Sequence, residues 1–182
     1  MSWHRYKFKA LSALVAGLGF ALLCGAGEPA PEYMVKAAFI YNFARFIEWP
    51  NEVFASGNAP FVIAVVGDDP FKGALEQAVA GKKVGNRNVE IRHFDSVDKI
   101  GSCQILVVPT TDDEAEAQIL RKVEKDHVLT IGESDNFSSI GGCIRFFAEE
   151  NKVRFEINTD ASDHAGLQIS SKLLKLARIF KK

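Results

Sequence analysis

Phe61-Val62-Ile63-Ala64-Val65-Val66-Gly67-Asp68-Asp69-Pro70 is the stretch on which the fold turns. Its apolar run is too short for a core helix and lacks the period-two alternation of a strand with one wet face. It reads as a strand buried on both sides, as in a parallel sheet covered by helices, and Gly67-Asp68-Asp69-Pro70 stops it.

Working outward, a helix is predicted from Pro70 to Ala80. A turn-rich connection from Gly81 to Asn88 then leads to the alternating Val89-Glu90-Ile91-Arg92-His93-Phe94, a second strand. Gln104-Ile105-Leu106-Val107-Val108-Pro109 repeats the buried-strand signal. Thr111-Asp112-Asp113-Glu114 supplies a cap and an acidic first turn for a helix to about Lys125, and Val128-Leu129-Thr130-Ile131-Gly132 is the next strand. The order β-α-β-β-α-β with short connections predicts an α/β layered domain with a mostly parallel sheet and helices on both faces. After the Ser134 to Gly142 loop, Cys143–Ala148 and Val153–Asn158 read as an antiparallel hairpin across the four-residue loop Glu149-Glu150-Asn151-Lys152. A C-terminal helix from about Ser171, with stripe Leu173, Leu176, Ala177 and Phe180, completes the chain.

Upstream of the deciding stretch, a helix is predicted from Glu32 to Trp49, ended by Pro50. At 100° per residue Val35, Phe39, Ile40, Phe43, Phe46 and Ile47 share one arc, with Lys36 intruding on it from the first turn, where its stem can snorkel. Tyr41, Asn42, Arg45 and Glu48 fall outside that arc, beside Trp49.

Residues 1–26 read as a cleaved secretory leader. Arg5, Lys7 and Lys9 precede an uncharged apolar run from Ala10 to Leu23, and small residues follow at Cys24-Gly25-Ala26-Gly27. The run is short for a membrane span. Cys24 stands where a lipidated cysteine would, but Leu23 precedes it where a small residue is wanted, so a lipid anchor is the lesser alternative. Residues 27–182, about 155 of them, form one domain, an ordinary domain length. The chain holds 22 basic and 23 acidic residues, and loss of the three leader cations leaves a net −4, which argues against nucleic acid. The remaining Cys103 and Cys143 either bridge, closing a loop of roughly 40 residues worth about 4 kcal/mol in the chain-entropy account, or stay as buried thiols.

Catalytic spacing is not evident. Asp68 and Asp69 lie at the carboxyl end of a strand, where α/β folds hold ligands, but without a glycine-rich cradle they would repel phosphate; capping is the simpler role. His93, His127 and His164 lack metal-ligand spacing, Ser134, Ser138 and Ser139 lack a nucleophile elbow, and Asp112-Asp113-Glu114-Glu116 lacks a calcium-loop pattern. No cofactor is expected. The helical pair Tyr41 and Arg45, beside Glu48, has the residue types of binding hot spots.

Several stretches, Lys36-Ala37-Ala38-Phe39-Ile40-Tyr41-Asn42-Phe43-Ala44-Arg45-Phe46-Ile47-Glu48-Trp49-Pro50 and Val153 through Asn158 to Ala165–Ala177 above all, together resemble the YfiR family, also catalogued as DUF4154. Gly81-Lys82, Gly85-Asn86-Arg87, Cys103-Gln104-Ile105-Leu106, Val128-Leu129-Thr130-Ile131 and Gly141-Gly142-Cys143-Ile144-Arg145-Phe146 add to the likeness. The resemblance implies a periplasmic regulator without catalysis. Its namesake represses a membrane diguanylate cyclase, holding cyclic-di-GMP synthesis down until an outer-membrane lipoprotein sequesters it. It also implies redox-responsive cysteine pairs, although parallel-strand neighbours would place Cys103 and Cys143 far apart.

The expected function is therefore a periplasmic regulatory binding protein. It meets a membrane sensor such as a diguanylate cyclase or histidine kinase through Tyr41, Asn42, Arg45, Glu48 and Trp49; an outer-membrane lipoprotein and a second copy are further partners. Two rivals stand beside it: a small-ligand or sensor domain with a pocket at Asp68, Asp69 and Ser134, and a hydrolase using Ser134 or a neighbour.

Overall fold

A computed structural model describes residues 31–181; the leader, Cys24 and the spacer at residues 28–30 lie outside the described residues. Helix α1 (Pro31–Phe46) opens on a proline, whose missing N–H is no loss in the first turn. It stops three residues short of the expected Trp49. Pro50 disfavours helical geometry at Trp49, and β1 (Ile47–Glu48) instead pairs antiparallel with Gln168–Ile169. The Phe46 carbonyl, left over at the helix end, accepts the Ser170 N–H at 3.0 Å. The buried face is also rotated from the expected arc. Lys36, Ala37, Ile40, Phe43 and Ala44 point inward, while Val35 is 45% exposed. Lys36 does not snorkel: it is 3% exposed, and its ammonium is neutralised by Glu32 at 2.6 Å and Glu133 at 2.7 Å.

Strand β2 (Phe61–Val66) is buried at all six positions, as its apolar run requires. Helix α2 (Ala74–Val79) is shorter than the expected Pro70–Ala80. Asp69 Oδ1 accepts the Phe71 N–H at 2.8 Å, and Lys72 and Gly73 take φ of 49° and 88°, so the preceding turn drives Phe71 into the core before the helix begins. Strands β3 (Lys83–Val84) and β4 (Arg87–Phe94) form a hairpin across Gly85-Asn86, within the stretch read as a turn-rich connection. Then come β5 (Ile105–Val107), α3 (Asp113–Val123) and β6 (Leu129–Gly132), with Asp112 capping α3 through the Ala115 N–H at 2.8 Å.

Strands β7 (Ile144–Glu149) and β8 (Lys152–Ile157) pair through a two-residue turn rather than four. Glu150 and Asn151 both take positive φ, which lets a tight turn match the strand twist. Helix α4 (Thr159–His164), β9 (Gln168–Ile169), α5 (Ser171–Leu174) and β10 (Arg178–Ile179) follow. The expected C-terminal helix is thus one turn long, and Leu176 is 72% exposed. Beyond it β10 runs parallel to β8: Phe180 N–H donates to Ile157 O at 2.8 Å, and Arg178 meets Glu156 at 3.1 Å while lying 3.7 Å over the Phe147 ring. A short isolated helix has little stability of its own, so these non-local bonds prevail.

The eight-stranded sheet runs β10-β8-β7-β6-β5-β2-β4-β3, parallel across its central β4-β2-β5-β6-β7. The chain starts at β2, builds outward to β4, then returns to place β5 on the other flank, creating a switch point between β2 and β5. Alternate residues of β2 serve two cores. Phe61, Ile63 and Val65 face α1, α2 and α5 through Ile40, Phe43, Leu75 and Leu173, and Val62, Ala64 and Val66 face α3 through Ile119, Leu120 and Val123. Phe43 and Phe155 meet edge to face with centroids 4.9 Å apart.

Candidate docking surface on the first helix

With Ile40, Phe43 and Ala44 turned inward, the outward side of α1 carries Met34, Ala38, Tyr41 and Arg45, spaced four, three and four residues apart and hence on one stripe. Met34 is 42% exposed and Arg45 is exposed, while Tyr41 is half-buried. The α2–β3 connection completes this surface. Tyr41 Oη donates to the Lys83 carbonyl at 3.2 Å, the Lys82 ammonium lies 4.8 Å from the Tyr41 ring centre, and the Arg45 guanidinium lies 5.8 Å from it. Among the described residues Arg45, Lys82 and Lys83 have no carboxylate within salt-bridge distance. The result is a ring flanked by cations without counter-charge.

The structure divides the five residues expected on this face. Tyr41 and Arg45 come together. Asn42 is half-buried, and Glu48 is exposed on β1, paired with Gln168. Trp49 turns toward the sheet: its Nε1–H donates to Gln104 O at 3.2 Å, and its ring meets Phe61 edge-on at 4.9 Å. It anchors the end of α1 rather than presenting a surface. Lys82 and Lys83 were missed, because only the hairpin brings them to Tyr41, some forty positions away.

Asp68, Asp69 and Ser134 play separate parts. Asp68 is exposed, Asp69 holds the Phe71 turn, and Ser134 is 8% exposed with its hydroxyl 2.6 Å from Glu116 Oε2. Glu116 is fully buried and its Oε1 has no partner. Burial foremost pushes its pKa up; the Ser134 bond opposes this, and Asp113 and Asp112 add to it. A second carboxylate, Glu156, behaves oppositely. Burial would raise it, but Arg145, Ser138 and Arg178 outweigh that and hold it below the ordinary range.

Each serine of the loop is hydrogen-bonded, none of them to a histidine. Ser134 donates to Glu116, Ser138 to Glu156 and Ser139 to the Asn136 carbonyl. His127 and His164 bond the carbonyls of Ala165 and Asp160, and His93 faces Glu76. No group of three His, Cys, Asp or Glu side chains among the described residues is placed to hold a metal ion. A cleft of about 460 Å³, lined in part by Leu120, Val123, Ser139, Ile140 and His164, opens between α3, α4 and the Ser134–Gly142 loop. Another, of about 560 Å³, is lined by Glu52, Ile100, Lys122 and His127 among others. Neither is lined by Asp68, Asp69 or Ser134.

Cys103 and Cys143 are free, so the bridge considered for them is not formed. They belong to different apolar clusters, and β6 separates the strands they precede, two strand spacings apart and beyond disulfide reach. Burial pushes the Cys103 thiol up to about 12 and raises that of Cys143 as well.

Fold and site together define a doubly wound α/β domain that displays a cation-flanked aromatic face. No helix among those residues is long and apolar enough to cross a membrane. The chain belongs to the YfiR/HmsC-like family, DUF4154, which it matches over residues 33–178. Among solved structures, a conserved domain protein from Vibrio cholerae O1 biovar eltor is similar at 12% identity with a TM-score of 0.53, covering 85% of this chain and 61% of that one. The ABC domain in complex with L-Trp from Streptococcus pneumonia matches at 13% identity with a TM-score of 0.48, covering 66% of this chain and 55% of that one. The chain thus spans 55% and 61% of the lengths of these two proteins, and at such identity the Vibrio likeness is one of fold alone.

Proposed function

We propose that this chain is a periplasmic regulatory binding protein that restrains a membrane signalling enzyme, a diguanylate cyclase or a histidine kinase, by docking on its sensor region. Membership of the YfiR/HmsC-like family carries the regulatory role. The exposed, uncompensated Tyr41–Arg45–Lys82 surface supports docking as its means. A regulator of this kind acts by binding one state of its target more tightly than the other. Periplasmic placement rests on the leader and on the family; an outer-membrane lipoprotein that competes for the same face would relieve repression.

The test is affinity capture of the exported protein from solubilised envelopes, comparing wild type with Tyr41→Ala/Arg45→Ala. Recovery of a membrane cyclase or kinase by wild type, and its loss in the variant, is expected. Capture of neither class would overturn the proposal.

The 460 Å³ cleft favours a second reading as a small-ligand sensor, since its size falls in the range of small-molecule sites. A saturable thermal shift with a periplasmic metabolite would support it, and no shift across such a set would remove its support.

A further inference from the structure

We infer that the outward stripe of α1, ending in Arg45 and Lys82, docks an amphipathic helical segment of a partner protein, apolar over Met34 and Ala38 and acidic toward the two cations. This rests on the regulatory reading above and names the chemistry of the partner's contact.

The stripe follows the four-three-four spacing with which one helix presents anchors to another. From Met34 to Arg45 it is about 16 Å long at 1.5 Å per residue, the span of about three turns of a partner helix. Its two ends differ in kind. Met34, with Val35 alongside, offers exposed apolar surface at the N-terminal end. At the other end Arg45 and Lys82 both lie over the Tyr41 ring, whose hydroxyl is tied to the Lys83 backbone carbonyl. Like charges gathered without a carboxylate repel one another until a partner's carboxylates arrive, which makes the patch complementary to acid and selective against base.

Other modes of contact fit less well. β3 is the edge strand on this side of the sheet, but the Tyr41 hydroxyl already occupies the Lys83 carbonyl, so recognition falls to side chains rather than to an added strand. A second copy in antiparallel register would bring the basic end against the start of the other α1, where Glu32 is already committed to Lys36 at 2.6 Å.

Photo-crosslinking in the envelope tests this with the full exported chain, carrying p-benzoylphenylalanine in place of Ala38 or, as a control, of Lys122 on the exposed side of α3. The expected result is an Ala38-position adduct on a membrane protein. The captured peptide should carry helically spaced apolar residues and at least two carboxylates, and Arg45→Glu/Lys82→Glu, with an unchanged melting temperature, should cut adduct yield by about tenfold or more. An adduct on lipid or on a second copy, a captured peptide without carboxylates, a yield indifferent to charge reversal, or no adduct at the Ala38 position would overturn the inference. If the Lys122 position alone crosslinks to a membrane cyclase or kinase, the regulatory reading survives and only this surface fails. If neither position crosslinks and affinity capture recovers no such enzyme, both fail.

Discussion

The Lys36 ammonium lies 2.7 Å from Glu133 Oε2, tying the first helix to the loop after β6 across 97 positions of sequence. Burial alone would lower the lysine's pKa, but hydrogen bonds to Glu133 and Glu32 outweigh it and raise the value above the ordinary one. A raised lysine pKa contributes stability that is whole below the unfolded value, about 10.4, and is lost as pH rises through the folded value. Lys36→Met should therefore destabilise at pH 7 and erase part of the wild type's alkaline loss above about pH 10. The cost at pH 7 should be about 1–3 kcal/mol, below the range for fully buried pairs because Glu32 and Glu133 are partly solvated. Urea denaturation at both pH values measures it.

Glu116 titrates the other way. Its raised pKa means that the folded state holds the proton more tightly, so its contribution is best below the unfolded value, about 4.3, and falls as pH rises through the folded value. Glu116→Gln removes the ionisation, so the melting-temperature difference between variant and wild type should shift in the variant's favour as pH rises from below about 4.3 to neutrality. A difference that stays constant with pH would show that Glu116 has no such linkage.

Gly132 and Gly142 close on the two sides of the buried Phe137 ring, and a Cβ at either position would overlap it. Gly132→Ala, whose close contacts are all with the ring, should destabilise by about 1–3 kcal/mol, the scale of overpacking. Adding Phe137→Ala should give a double variant more stable than the sum of the two losses, because the second change removes the clash.

The two thiols should be unreactive in the folded protein. Held protonated by burial, they supply little thiolate at neutral pH. Ellman's reagent should react slowly with native protein and quickly after denaturation, and non-reducing mass spectrometry should show Cys103 and Cys143 reduced.

How much was legible in the sequence follows from how local each cause is. The Phe61–Val66 run carries its own reading, since burial on both faces leaves no period, and the β7–β8 hairpin is marked by its flanking strands. The C-terminal helix misled because Leu173, Leu176, Ala177 and Phe180 keep a helical period, whereas the residues that extend β10 onto the sheet, Glu156 and Ile157, lie some twenty positions upstream. Lys36 read as a snorkelling surface lysine because its Glu133 partner is remote. Tyr41 and Arg45 were visible as helical neighbours, but Lys82 was not, since only the fold of the β3–β4 hairpin brings it to them.

Regulation by this surface is tested most directly by the output of the membrane enzyme that the wild type captures, cyclic-di-GMP for a cyclase or phosphorylated kinase for a histidine kinase, in a strain lacking the gene, complemented in turn with wild type and with Arg45→Glu/Lys82→Glu. The expected result is a raised level in the deletion, restored by wild type but not by the folded, exported variant. An unchanged level in the deletion, or full restoration by the variant, would contradict it.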